Sequence, residues 1–234
     1  MVSAMSRRSA DHLFFPAMAL LLAGETLLGF WHTYIGAGFM LARMPSLLVH
    51  VHAVLFVGWM TLFTVQTLLV ARGRVAVHRR LGGLMGWWAA AMVVAGPATV
   101  IMALRRPGSG IDATILAGDL AQTVAFVVLL STGLARRAYA AEHKRLMTLA
   151  TAAIIGPALS RWPFAIMHAT PPVGIVMFYL LPPVLMLLYD LAVLRRVHRA
   201  TAFGLVMMVL VLACFVALPA TSAWLAFADW VQHA

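Results

Sequence analysis

The side chains able to do more than pack are few, and most of them are histidines. His78 and His143 each open an apolar run, His50 and His52 lie inside another, and His32 and His168 stand near the ends of two more. Two neutral imidazoles facing each other from different helices can supply both axial ligands of a haem b iron, and through those ligands the protein tunes the redox potential. His78 and His143 fall at similar depth on alternate helices and are the expected pair. A second pair at the opposite end would be His52 or His50 with His168 or His32, with Arg161 placed to hold a haem propionate. His50 and His52 are two residues apart, so they project about 200° from each other and cannot grip one ion from one helix face. No HExxH spacing occurs anywhere in the chain. The ordinary alternative for each single histidine is a hydrogen-bonded packing residue.

What must position these groups is a set of helices in lipid. Of 234 residues, 63% are hydrophobic and 10% charged, with a mean hydropathy of +0.95, against roughly 45–50% and about 25% in a soluble domain. A chain of this size has too little interior to hide so much apolar surface from water, which leaves the bilayer as the solvent. Seven runs have the roughly 20 apolar residues that a crossing needs: 13–35, 47–70, 81–104, 113–135, 146–169, 173–194 and 202–228. The first is too long for a signal peptide and reads as a retained anchor. The expected architecture is all-α, one transmembrane helical domain over residues 1–234, with a four-helix core of helices two to five. Outside the spans, thirteen Lys and Arg fall on one set of alternate connections and three on the other. The positive-inside rule then places the N-terminus in the cytoplasm and the C-terminus outside. The net charge of +10 is accounted for by this clustering, which argues against nucleic acid as a partner. The single cysteine, Cys214, excludes an internal disulfide and a thiolate zinc cluster.

Charges inside the spans are costly, about 2.5–3.5 kcal/mol for Arg or Asp at a helix centre, so each is expected to face a partner or a cavity. At about 1.5 Å of rise per residue, Arg161 lies roughly 12 Å below the outer end of helix five, Asp119 about 9 Å below that of helix four and Glu25 about 15 Å below that of helix one. Arg161 and Asp119 are the expected buried ion pair. Gly156-Pro157 and Trp162-Pro163 should interrupt helix five and Pro182-Pro183 helix six, freeing carbonyls that a neighbour must satisfy. Gly82 and Gly86, four apart, suggest close helix packing in lipid.

The segments LLVHVHAVLFVGW (47–59), VHRRLG (77–82) and EHKRLM (142–147) resemble a group of bacterial multi-helix membrane proteins and, more loosely, the cytochrome b561 and ferric-reductase group. The likeness covers 47–169, about half the chain. It implies a four-helix core in a bacterial inner membrane, holding one or two haems b and moving electrons, with a quinone or another electron-transfer partner. His78 and His143 match the cytoplasmic ligand positions and His50 or His52 one outer ligand. In that pattern the outer partner lies on helix four, where this chain carries Asp119 and Gln122. The EHKRLM segment also resembles small membrane proteins associated with terminal-oxidase assembly, which implies an accessory subunit of a larger membrane complex. A third reading is a small transporter or membrane metalloenzyme holding an Fe, Zn or Cu ion with Glu25, His32, His52, Asp119 and His168. A retinal pigment is excluded because no lysine lies in the last span.

Overall fold

The computed structural model describes residues 7–42, 44, 46–168 and 172–234. Arg43, the one cation expected in the first connection, and residue 169, the end of the fifth apolar run, lie outside them. Among the described residues there are nine α-helices and no strand. They are α1 (Arg7–Phe30), α2 (Leu47–Ala71), α3 (Val75–Leu104), α4 (Ala113–Ala135), α5 (Ala140–Ala153), α6 (Gly156–Leu159), α7 (Val173–Leu194), α8 (Arg199–Ala217) and α9 (Ser222–His233). Among the described residues six helical segments are long and apolar enough to cross a bilayer: Ser9–Ile35, Leu47–Ala71, Val75–Leu104, Ala113–Ala135, Val173–Leu194 and Arg199–Ala220. The chain is a multi-pass helical membrane protein. Large apolar side chains such as Leu20, Leu84, Trp87, Val94, Val124 and Val206 stay exposed on the outer helix faces, as they must where the surrounding solvent is itself apolar.

The expected fifth helix is not continuous. Pro157 has no N–H and disfavours helical backbone at the residue before it, and the run divides into α5, α6 and a short turn at Ala165–Met167. The groups freed at this break find side-chain partners. The Tyr179 hydroxyl of α7 donates to the Ala153 carbonyl at 2.9 Å, and Gln122 Oε1 of α4 accepts from the Gly156 N–H at 3.0 Å. α7, by contrast, continues through Pro182-Pro183 as one helix. The last apolar run ends early at Pro219, and a separate twelve-residue helix, α9, follows.

Two ends can be told apart. The start of α1 and the α2–α3, α4–α5 and α7–α8 turns share one end, tied by Lys144 to Asp11 and by the Tyr189 hydroxyl to Asp11. Arg72, Arg74, Arg79, Arg80, Arg136, Arg137, Arg195 and Arg196 are exposed there; this is the basic end. At the opposite end α9 docks across the α3–α4 connection. Arg105 Nε donates to the Val231 carbonyl at 2.7 Å and Trp224 Nε1 to the Ala113 carbonyl at 2.9 Å. The middle is closed by Trp59, Phe126, Leu129 and Leu149, all fully buried, with Trp59 Nε1 donating to Thr151 Oγ1 at 3.2 Å. Close helix approach occurs where α1 meets α6: a Cβ on Gly29 would stand 2.2 Å from the Ala158 carbonyl oxygen. Of the Gly82–Gly86 pair only Gly82 faces a neighbouring helix, where a Cβ would stand 3.7 Å from Gln66 Nε2; a Cβ on Gly86 would meet nothing within 4 Å.

Candidate functional site

Near the basic end, the turn after α2 passes through Gly73 at φ +75°, a left-handed backbone that glycine adopts without strain. It sends α3 back so that His78 lies in the first turns of that helix, half-buried. His143 lies in the first turn of α5, after the tight turn that closes α4. Their rings meet with centroids 6.3 Å apart and planes at 79°. The His143 Nδ1 is 2.8 Å from the Gly133 carbonyl; a carbonyl only accepts, so the neutral ring carries its proton on Nδ1 and its lone pair on Nε2. A bond of this kind, from the ring's other nitrogen, is what fixes the tautomer of metal-binding histidines. The Nδ1 of His78 is buried and has no hydrogen-bond partner. Gln66 Nε2 donates to the His78 carbonyl at 3.2 Å and approaches Met85 Sδ at 3.3 Å, while Gln66 Oε1 is buried without a partner. With a free Nε2 on His143 and a bare Nδ1 on His78, the two rings are the residues that could hold a metal-centred group here.

The neighbours of His143 along α5 point to four other elements. Glu142 pairs with Arg199 of α8 and lies 3.5 Å from Arg136 Nε at the end of α4. Lys144 pairs with Asp11 of α1. Arg145 is fully buried and pairs with Asp190 of α7, its Nε donating at 3.0 Å. The other oxygen of Asp190 accepts from the His198 N–H at 3.0 Å and from the Thr201 hydroxyl at 2.5 Å. This hub was not among the sequence candidates. Asp190 is the only charged residue within 173–194, and a lone carboxylate in an apolar run was a signal that a cation must meet it. Outside the spans, the bond from Arg199 holds the Glu142 carboxyl below the usual carboxylate range, helped by the charges of Arg199, Arg136 and His198 and opposed by burial. Burial, then the charge of Arg145, keeps the His198 imidazole below its ordinary value, in keeping with its Nδ1 accepting from the Ala200 N–H at the start of α8.

At the opposite end the remaining candidates are more dispersed. Arg161 stands within electrostatic range of Asp119 and His52, yet among the described residues Arg161 and Asp119 make no ion-pair contact. The expected pair is therefore corrected: Arg161 donates to the Pro157 carbonyl and lies over the Phe30 ring at 5.1 Å. Among the described residues the fully buried ion pair is Arg145–Asp190 instead. The His52 ring stacks on Phe56 at 4.2 Å, and its Nδ1 is buried without a partner. His50 Nδ1 lies 3.5 Å from the Tyr34 hydroxyl, His32 is exposed, and His168 Nε2 donates to the Trp162 carbonyl at 3.0 Å. Glu25 is 3% exposed, and neither carboxyl oxygen has a partner. Among the described residues no three His, Cys, Asp or Glu side chains gather as a metal-ion site, so Glu25, His32, His52, Asp119 and His168 do not converge. Comparison with known proteins finds no family model, no curated protein and no solved structure that matches this chain.

Proposed function

We propose that this chain is a membrane haem b protein that carries electrons, with His78 and His143 as the residues that hold the haem. The observation that carries the reading is the histidine pair itself. Two imidazoles from α3 and α5 stand edge-on with centroids 6.3 Å apart, one with its tautomer set by Gly133 and the other with a buried, unpartnered nitrogen. A buried polar nitrogen without a partner costs about 1–3 kcal/mol, and a metal ligand bond would remove that cost. The group would supply one-electron redox chemistry; the chain's part is to hold the two rings and fix the His143 proton on Nδ1. Contacts of α2 with α3, α3 with α4 and α4 with α5 support the four-helix core around it.

The same reading gives seven crossings, with the interrupted run 146–169 as the fifth, and places the basic end in the cytoplasm of a bacterial inner membrane. Nine exposed arginines among the described residues at that end, the eight named above and Arg199, are what the positive-inside rule requires. The test is a reduced-minus-oxidised visible spectrum of the detergent-purified protein, with haem and metal quantified on the same sample. One b-type haem per chain is expected, lost in both His78→Ala and His143→Ala while the protein stays in the membrane. A colourless protein after expression with ample haem and iron, or full haem content in both variants, overturns the assignment.

A further inference from the structure

α2 and α3 run antiparallel from the tight turn at Gly73 and touch at two levels. Near the turn, Gln66 meets the His78 carbonyl and stands beside Gly82. Deeper, the Trp88 indole lies across Gly58, where an added Cβ would stand 2.3 Å from its ring, and its Nε1 donates to the Leu55 carbonyl at 2.7 Å. Beside these contacts the two helices leave a groove of about 430 Å³. Its walls are Leu55 and Leu62 of α2 with Leu81, Leu84, Trp87 and Ala91 of α3, and Trp88 completes the lining. Leu84 and Trp87 are 66% and 82% exposed, so the groove opens toward the surrounding hydrocarbon and not into the bundle.

The groove has a charged end and an apolar length. Positions 80, 84, 87 and 91 fall within about 60° of one another around α3, so Arg80 heads the stripe that Leu84, Trp87 and Ala91 continue. No charged residue lies between Leu81 and Leu104; the hydrocarbon therefore begins where the groove begins. From Leu81 to Ala91 α3 rises about 15 Å, half of a hydrocarbon core of about 30 Å, which is the reach of one lipid chain. Side chains on a helix lean toward its N-terminus, so Arg79 and Arg80 extend away from the hydrocarbon, toward the turn that carries Arg72 and Arg74. These four cations are exposed, and among the described residues none pairs with a carboxylate. The carboxylates of this end, Asp11, Glu142 and Asp190, are held by Lys144, Arg199 and Arg145. Uncompensated arginines at the head of an apolar groove match a phosphate joined to a hydrocarbon tail. The walls carry no carboxylate, amide or hydroxyl to meet a polar ring, and the Trp88 N–H is already given to Leu55, which disfavours a quinone head in the groove.

We propose that the α2–α3 groove is the binding site of one anionic phospholipid from the leaflet at the basic end. One acyl chain lies along Leu84, Trp87 and Ala91, and the phosphodiester sits between Arg80 and the arginines of the turn. The lipid covers Trp87 and offsets the mutual repulsion of four cations on the turn that positions His78. The inference rests on α2 and α3 crossing the bilayer and not on the haem assignment.

The test is delipidation of the detergent-purified full-length protein in equimolar dioleoylphosphatidylglycerol and dioleoylphosphatidylcholine, with retained lipid counted per chain by native mass spectrometry. One phosphatidylglycerol per chain is expected, in excess over phosphatidylcholine. Its affinity should fall about fivefold for each arginine removed in Arg79→Gln and Arg80→Gln. It should fall also in Ala91→Trp, which fills the deep end of the groove and leaves the charge intact. All three positions are exposed, so these changes leave the core undisturbed. Arg195→Gln, which removes the same charge at the same end but on the α7–α8 turn, should retain the lipid as the wild type does. No retained lipid, equal retention of the two lipids, a co-purified quinone in their place, unchanged retention in Arg80→Gln or Ala91→Trp, or an equal loss in Arg195→Gln overturns the proposal.

Discussion

Replacing Asp190 by Leu removes the carboxylate that meets Arg145, Thr201 and the His198 amide at once. Arg145 and Asp190 are 2% and 0% exposed, so neither charge can turn to water when its partner is lost. Breaking such a pair from one side costs about 3–5 kcal/mol, whereas removing both charges is often neutral or stabilising. Thermal unfolding of a protein of this size shifts by roughly 2–4 °C per kcal/mol, which gives an expected loss of about 6–20 °C for Asp190→Leu. Arg145→Leu should lose a similar amount. The double variant should recover most of it, apart from the bonds that Thr201 and His198 made to the carboxylate. The assay is the unfolding temperature of detergent-purified protein by circular dichroism, run as a double-mutant cycle. Losses that add in the double variant would refute the reasoning, because they would mean that each side chain acts through its own packing and that the pair is not the unit.

The remaining predictions concern acid and the broken helix. Glu142 has a folded pKa below its unfolded one, so its contribution is present above the ordinary carboxylate value and is lost as pH falls through the folded value. His198 is also depressed, so stability falls as pH drops through the ordinary histidine range, where the unfolded chain takes up a proton that the folded one refuses. Unfolding temperature measured from neutral to acid pH should therefore decline in two stages, with His198→Asn, which keeps a cap for α8, flattening the first and Glu142→Gln the second. At the break, Tyr179→Phe strands the Ala153 carbonyl and Gln122→Leu strands the Gly156 N–H. Each should cost about 1–3 kcal/mol, read as a lower unfolding temperature, and a wild-type value in both would show that the break is satisfied in some other way.

Much of this protein is legible in its sequence because lipid imposes a one-dimensional code. Composition requires the bilayer, run length sets where helices cross, arginine clusters mark one end, and Gly156-Pro157 breaks the fifth run because Pro157 cannot donate. The shared depth of His78 and His143 is legible for the same reason: depth is a count of residues from the end of a run. Azimuth is not such a count. Depth alone puts Arg161 with Asp119, but the direction in which each helix presents its side chains leaves that pair apart and turns Arg161 onto Pro157 and Phe30. It also lets α5 offer Glu142, Lys144 and Arg145 to three different sides, so that Asp190, Asp11 and Arg199 find their partners there. The sequence by itself determined the solvent, the order and depth of the helices and the candidate histidines. Which cation meets which carboxylate, and which buried atoms are left without one, was decided by packing, since only the assembled bundle fixes how the helices are rotated against one another.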